Sequence, residues 1–130
     1  MLSLTNPQLA YFLARITLGV NFLFHAVVRL PKLGGFVEKM QSSFQDSMLP
    51  GFLVTPMTWL IPIVELVLGI TLILGLFTRL SLVASALLMI VLITGCCLIE
   101  NWSAVGSQMV YSAYILALIW ALDHNRLTLK

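Results

Sequence analysis

Two charged side chains, Arg15 and Glu65, lie deep inside long apolar stretches of this 130-residue chain. Only 9% of the residues are charged, so both positions stand out. An ionisable group inside a membrane span is costly unless it is paired or faces a cavity, which makes it a first candidate for function. A carboxylate can exchange protons, and a guanidinium can stabilise a developing anion. The two residues therefore predict either a structural ion pair or a polar site for a small ligand or a proton.

Four more polar side chains are expected near this pair. His25 shares a helix face with Arg15, and Asn21 lies one turn before His25. A rise of about 1.5 Å per residue puts Gln108 at the depth of His25 and Tyr111 about one turn deeper. Histidine can exchange protons near neutral pH or hydrogen-bond a carbonyl oxygen, as quinone binding requires. These groups predict a pocket that leads from the membrane surface to Glu65; the alternative is that His25 is a hydrogen-bonded core residue.

The elements that must position these residues are four apolar stretches, at 9–28, 53–76, 80–99 and 104–122. The chain is 60% hydrophobic, whereas soluble domains are about 45–50% apolar. Each stretch approaches the roughly 20 residues that cross a bilayer core of about 30 Å. The sequence therefore predicts an all-α membrane protein, a four-helix transmembrane bundle that forms a single domain over residues 1–130.

The first two spans must be antiparallel, so the depths of their charges can be compared. Measured from the membrane face at their connecting loop, Arg15 should lie roughly 20 Å deep and Glu65 roughly 16 Å deep. An arginine side chain can bridge that difference. We therefore expect Arg15 and Glu65 to be partners, with two interpretations open: an ion pair that fixes the helix register, or the wall of a polar cavity.

The connection between the first two spans is long and has its own pattern. Phe36, Met40, Phe44 and Met48 recur every fourth residue, with polar residues between them. This spacing predicts a short amphipathic helix over 36–49, bounded by glycines and prolines, that lies in the membrane interface. It could cover the bundle as a lid, or it could be a loop helix that buries only its own apolar side.

Several classes of function are disfavoured. A formal net charge of +2 without a basic stripe gives no indication of nucleic-acid binding. Cys96 and Cys97 are adjacent, which is neither a redox Cys-x-x-Cys nor a zinc motif, so we expect packing residues, with a redox role as the alternative. His124 falls on the opposite membrane side from His25, which argues against a haem held by both histidines. We predict no metal site.

The charges at the span ends bear on orientation. Arg29, Lys32 and Lys39 fall on one side, and Arg79, Arg126 and Lys130 on the side of the termini. This three-to-three tie does not decide orientation under the positive-inside rule, to which acidic residues contribute little. The acidic residues Glu38, Asp46 and Glu100 all fall on the first side, and we expect both termini in the cytoplasm. We also expect the chain to lie in a bacterial inner membrane.

Several short motifs along the chain match a known pattern. They are Ala14-Arg15, Leu18-Gly19, 22–25, Pro62, Val64-Glu65, Gly69, 74–79 and the tail 123–129. In these motifs the chain resembles the DoxX-like family of small four-helix membrane proteins. It departs from that family after His25, where the family often has Gly and a Lys-Leu pair and this chain has Ala26, Arg29-Leu30 and Lys32-Leu33. The resemblance implies the same fold and a membrane subunit linked to sulfur or thiol redox or to quinone reduction, or an assembly chaperone.

Three functional hypotheses follow. The first is a membrane subunit that binds a quinone or similar lipophilic redox molecule for a partner oxidoreductase, with His25 and Glu65 exchanging protons and Arg15 stabilising the anion. The second is a non-catalytic scaffold or assembly helper for another membrane protein. A carrier for a small solute is the third. Expected partners are the lipid bilayer and a redox or other membrane protein, or a second copy of the chain.

Overall fold

The structure, a computed structural model, describes residues 4–45, 48, 51–126 and 128. Its helices are α1 (Asn6–Arg29), α2 (Leu33–Ser43), α3 (Gly51–Leu74), α4 (Thr78–Leu98) and α5 (Trp102–Trp120), with 3-10 turns at Leu30–Lys32 and Leu122–His124. The described residues contain no strand. Four candidate spans are long and apolar enough to cross a membrane: the helical run Asn6–Ser43, α3, α4 and α5. This confirms the predicted four-helix transmembrane bundle, and the chain is a multi-pass membrane protein.

The ends of the helices follow from local sequence. Thr5 caps α1 through a reciprocal pair of hydrogen bonds with Gln8, which satisfies backbone donors that the first turn leaves free. The Asn101 side chain accepts from the amide of Ala104 and caps α5. Between α3 and α4 the chain reverses at Gly75, whose φ of +76° is a left-handed conformation that glycine adopts without strain.

The contact between α1 and α3 is set by two glycines. A Cβ atom on Gly69 would lie 2.7 Å from the amide nitrogen of Leu23 and 2.9 Å from the carbonyl oxygen of Gly19. A Cβ on Gly19 would in turn lie 2.7 Å from the side chain of Ile73. Small residues at both positions allow the two backbones to touch, as in other membrane helix pairs. This close approach fixes the register of α1 against α3.

Tyrosine hydroxyls join α1 to α5. Tyr11 donates to the carbonyl of Leu118 at 2.6 Å, and Tyr114 donates to the carbonyl of Ala14 at 2.7 Å. Around them the buried side chains of all four spans form one core, which includes Leu18, Leu82 and Ile115. The two hydrogen bonds hold α5 against α1 where apolar attraction between helices gives little advantage over lipid.

Helix α2 differs from its predicted bounds. It begins at Leu33 and ends at Ser43 instead of covering 36–49, because the chain turns at Leu30–Lys32 and re-enters a helix through Gly34 and Gly35. Phe44 is buried just beyond the helix, whereas Met48 is 86% exposed and takes no part in an apolar face. The predicted end at Leu49 lies outside the described residues.

Candidate functional site

A cavity of about 460 Å³ lies between α1, α2, α3, α4 and α5. Its volume falls within the range of about 300–1,000 Å³ that is typical of small-molecule sites. Apolar side chains of α1 to α4 form much of the wall, among them Phe22, Met40 and Met89. Five of the six predicted site residues line it, namely Asn21, His25, Glu65, Gln108 and Tyr111.

An ion pair between Arg29 and Glu65 forms one side of the cavity. The guanidinium Nη1 of Arg29 lies 2.9 Å from Oε1 of Glu65. The Glu65 side chain is only 4% exposed and that of Arg29 is 33% exposed, so the cation is the member that reaches solvent. Phe36 of α2 places its ring 4.7 Å from the guanidinium, a cation–π contact. The pair thus connects α1 and α3 to the helix that covers them.

The expected partnership between Arg15 and Glu65 is wrong. Buried Arg15 donates from Nε to the carbonyl of Leu72 at 2.9 Å and from Nη1 to Oδ1 of Asn125 at 2.5 Å. It does not line the cavity that holds Glu65.

The error arose because the depths were counted from the span ends, whereas the glycine contacts set the register. Leu23 faces Gly69, and Gly19 faces Ile73. On that register Glu65 is level with residue 27, so it lies roughly 18 Å from Arg15 along the helix axis. The sequence did contain a signal for the true partner, because Arg29 lies one turn after His25 on the same helix face. We had instead counted Arg29 among the charges at the membrane surface.

His25 lines the cavity and keeps one ring nitrogen that can act as an acceptor. Its Nδ1 lies 2.7 Å from the backbone carbonyl of Asn21. Because a carbonyl only accepts, Nδ1 carries the proton, and Nε2 of the neutral ring retains a lone pair. The interaction with Asn21 is within one helical turn, so it fixes the ring without requiring a partner from another helix.

Gln108 supplies a second acceptor. Its Nε2 donates to the sulfur of Cys96 at 3.5 Å, while its Oε1 is buried and has no hydrogen-bond partner among the described residues. A buried oxygen without a partner costs about 1–3 kcal/mol. Cys96 lines the cavity together with Gln108, whereas Cys97 is not among the lining residues.

The arrangement combines hydrogen-bond acceptors with donors. His25 and Gln108 can accept, the Tyr111 hydroxyl can do both, and the guanidinium of Arg29 donates. Within the described part of the chain no group of three or more His, Cys, Asp or Glu residues could hold a metal ion. The cavity is therefore suited to a small, largely apolar molecule that carries hydroxyl or carbonyl groups.

The model of one protein family, described as methylamine utilisation protein MauE, matches residues 7–109. The match covers α1 to α4 and the start of α5, including Gln108 but not Tyr111. No curated protein and no solved structure gives a significant match.

This finding overturns the assignment to DoxX-like proteins. The segments that carried the resemblance include Gly69 and the turn at 74–79, which serve helix contact and chain reversal in this structure. Close helix contacts and tight chain reversals are general needs of helical membrane proteins, so these residues do not identify one family. The chain belongs to the MauE family.

Proposed function

We propose that this protein is a membrane accessory subunit in methylamine utilisation and that its cavity binds a quinone or similar lipophilic redox molecule for a partner oxidoreductase. The family description supports the accessory role. The observation that carries the ligand proposal is the buried Oε1 of Gln108, which has no partner among the described residues although its residue lines a cavity of suitable size.

The hydrogen-bonding groups suit both redox forms of such a ligand. A quinol donates hydrogen bonds through two hydroxyl groups, and Gln108 Oε1 and His25 Nε2 can accept these bonds. A quinone accepts through its carbonyl oxygens, to which the Tyr111 hydroxyl and the Arg29 guanidinium can donate. The ring and its substituents would pack against Phe22 and Met89 of the apolar wall.

Proton exchange is assigned to His25 and Glu65, and the anion-stabilising role moves from Arg15 to Arg29. Reduction of a quinone takes two electrons and two protons, and the partner oxidoreductase would deliver the electrons. Arg29 lies 2.9 Å from Glu65 and reaches solvent, so it can balance the negative charge on either the carboxylate or a semiquinone. Arg15 lies too far away for that role.

Titration of the purified full chain with a short-chain benzoquinone, followed by isothermal calorimetry, tests the ligand proposal. We expect saturable binding of one molecule per chain. Gln108→Leu should weaken binding about tenfold, since it removes one well-formed hydrogen bond to the ligand. The variant should change the melting temperature little, because the lost oxygen has no partner among the described residues and the lost hydrogen bond to the Cys96 sulfur is long, at 3.5 Å. Thr94→Val is the matched control, because the exposed Thr94 hydroxyl donates only to the carbonyl of Ile90 in its own helix. Absence of saturable binding, or equal binding by Gln108→Leu, would contradict the proposal.

The second candidate is an assembly helper that binds another membrane protein. It is favoured by the exposure of α5, since only 11% of the apolar stretch of this helix is buried within the bundle. Under this function, Glu65→Gln should reduce recovery of the partner in a co-purification with the tagged full chain. It should leave the redox rate of the partner that is recovered unchanged. A lower redox rate at equal partner recovery would favour the quinone site.

A further inference from the structure

A second cavity, of about 810 Å³, lies at the opposite membrane side from the first. It is bordered by the turn between α3 and α4, the start of α4 and the segment after α5. The residues that matter for its chemistry are Thr78, Arg79 and Asn125, with Phe77 and Leu80 at its apolar edge. None of the residues placed in the proposed quinone site contributes to it.

The start of α4 offers backbone donors. This helix has 21 residues, and its N-cap residue, Phe77, has a φ of 45° and forms no side-chain cap. Among the described residues, no group accepts from the amides at 77–80, and the first hydrogen bond of α4 runs from Ser81 to the carbonyl of Phe77. Free amides and the helix dipole together favour an anion at such an end.

The hydroxyl of Thr78 is a second and independent observation. Thr78 is 6% exposed, and its Oγ1 is buried without any hydrogen-bond partner in the described residues. Other helical hydroxyls in this chain, such as those of Thr58, Ser85 and Thr94, donate to the carbonyl four residues earlier. Thr78 is the first residue of its helix, so it has no preceding turn to donate to. The Thr78 hydroxyl is therefore a buried donor at the cavity to which the described residues of the fold offer no acceptor.

The side chain of Arg79 completes the set. Arg79 is exposed, lines the same cavity and forms no salt bridge with any described residue. Phe77 and Leu80 are 70% and 68% exposed beside it, as expected for a site open to lipid at the membrane interface. A cation next to apolar surface at that depth favours the phosphate of a lipid headgroup.

We propose that this cavity binds a phosphate group, carried by a phospholipid headgroup or by free inorganic phosphate. The amides at the start of α4, the Thr78 hydroxyl and the Arg79 guanidinium donate to its oxygens. Phosphate is favoured over a monatomic anion, because the several oxygens of phosphate can accept hydrogen bonds from all three kinds of donor at once. Asp123 is the acidic residue nearest in sequence to the lining residue Asn125, but Asp123 does not itself line the cavity.

Thermal unfolding of the full chain in detergent, with added ligands, tests this proposal. The ligands are phosphatidylglycerol, diacylglycerol as a lipid without phosphate, and inorganic phosphate, and native mass spectrometry gives the affinities. Thr78→Val is nearly isosteric and removes an unpartnered hydroxyl, so the unliganded variant should melt no lower than wild type. It should bind the phosphate ligand about tenfold more weakly, since a charge-assisted hydrogen bond is lost. Arg79→Gln should likewise bind the phosphate ligand about tenfold more weakly, and without ligand it should melt no lower than wild type.

The matched controls are Thr94→Val and Arg126→Gln, which change an exposed hydroxyl and an exposed cation outside the cavity. Stabilisation by phosphatidylglycerol but not by diacylglycerol, lost in Thr78→Val and kept in both controls, supports the site with lipid as the source. The same pattern with inorganic phosphate alone supports free phosphate. The proposal is overturned if neither ligand binds, or if Thr78→Val binds as well as wild type.

Discussion

At the scale of single residues, polarity and depth predicted the cavity but not its ion pair. Asn21, His25 and Gln108 were expected near Glu65 from helix faces and depth alone, and the structure places them around one cavity. The partner of Glu65 could not be obtained in this way. The register that decides it depends on how closely two backbones approach, and span lengths do not contain that information.

The Arg29–Glu65 pair gives an asymmetric prediction. Arg29→Gln leaves a buried carboxylate without its cation, and loss of one member of a buried pair costs about 3 kcal/mol or more. Glu65→Gln leaves a cation that can extend to solvent, so its cost should be about 1 kcal/mol. Arg29→Gln should therefore lower the melting temperature in detergent more than Glu65→Gln does.

The double variant sharpens this test. With both charges removed, the melting temperature should recover to near that of Glu65→Gln, because no buried charge remains. Arg126→Gln, an exposed arginine outside both cavities, serves as the control and should have little effect. A larger loss for Glu65→Gln than for Arg29→Gln would show that Arg29 does not serve as the partner that holds the carboxylate.

At the scale of elements, the spans could be predicted within a few residues, but the contact between them could not. Apolar length fixes where a helix crosses the membrane. Gly19 and Gly69 are small enough for a close contact, yet Gly106 is equally small and has nothing within 4 Å of its Cβ position. The sequence shows where close contact is possible, and only the packed structure shows where it occurs.

This difference between glycines makes a prediction with a built-in control. Gly106→Ala should stabilise the protein or leave it unchanged, because alanine favours a helix by about 1 kcal/mol and meets no neighbour. Gly69→Ala should destabilise it by about 1–3 kcal/mol, since its Cβ would press on the α1 backbone. Thermal unfolding of both variants measures the contrast. Equal melting temperatures would mean that α1 and α3 do not touch at Gly69.

Helix α2 was predicted from its four-residue period, but its bounds were placed too late because Gly34 and Gly35 were taken as breakers. Buried Phe44 anchors the end of α2 by its contact with Gly95 of α4, where its ring would lie 3.3 Å from a Cβ atom. Phe44→Ala should therefore raise hydrogen–deuterium exchange in α2 about tenfold, as the loss of roughly 1.4 kcal/mol of local stability implies. Phe52→Ala removes an exposed ring and should leave exchange in α2 unchanged. Unchanged exchange in Phe44→Ala would show that α2 is held elsewhere.

At the scale of the whole molecule, composition sufficed for the fold, because four apolar stretches of span length in 130 residues leave few alternatives. The orientation did not follow, since the cations tied three to three. In the structure Arg29 is paired with Glu65, so its charge is neutralised and Arg29 no longer counts as a loop cation under the positive-inside rule. Two cations remain on the side of α2 and three on the side of the termini.

We therefore propose that both termini lie in the cytoplasm, as the positive-inside rule favours for the side with more cations. A green fluorescent protein fused to the C-terminus should fluoresce, and alkaline phosphatase fused after residue 130 should be inactive. Phosphatase inserted in the segment between α2 and α3 should be active. The reverse pattern would place the cavity beneath α2 on the cytoplasmic side and would require a cytoplasmic partner there.

The most direct test of the central proposal is photoaffinity labelling of the full chain in lipid nanodiscs with an azidoquinone, followed by peptide mass spectrometry. If the cavity binds a quinone, label should concentrate on residues that line it, such as Met89, Leu92 and Tyr111, and excess unlabelled quinone should remove it. Leu87 and Ile90, which are exposed on the same stretch of α4, should remain unlabelled. Equal labelling of the exposed and the cavity-lining residues, or label that unlabelled quinone does not displace, would contradict quinone binding in the cavity.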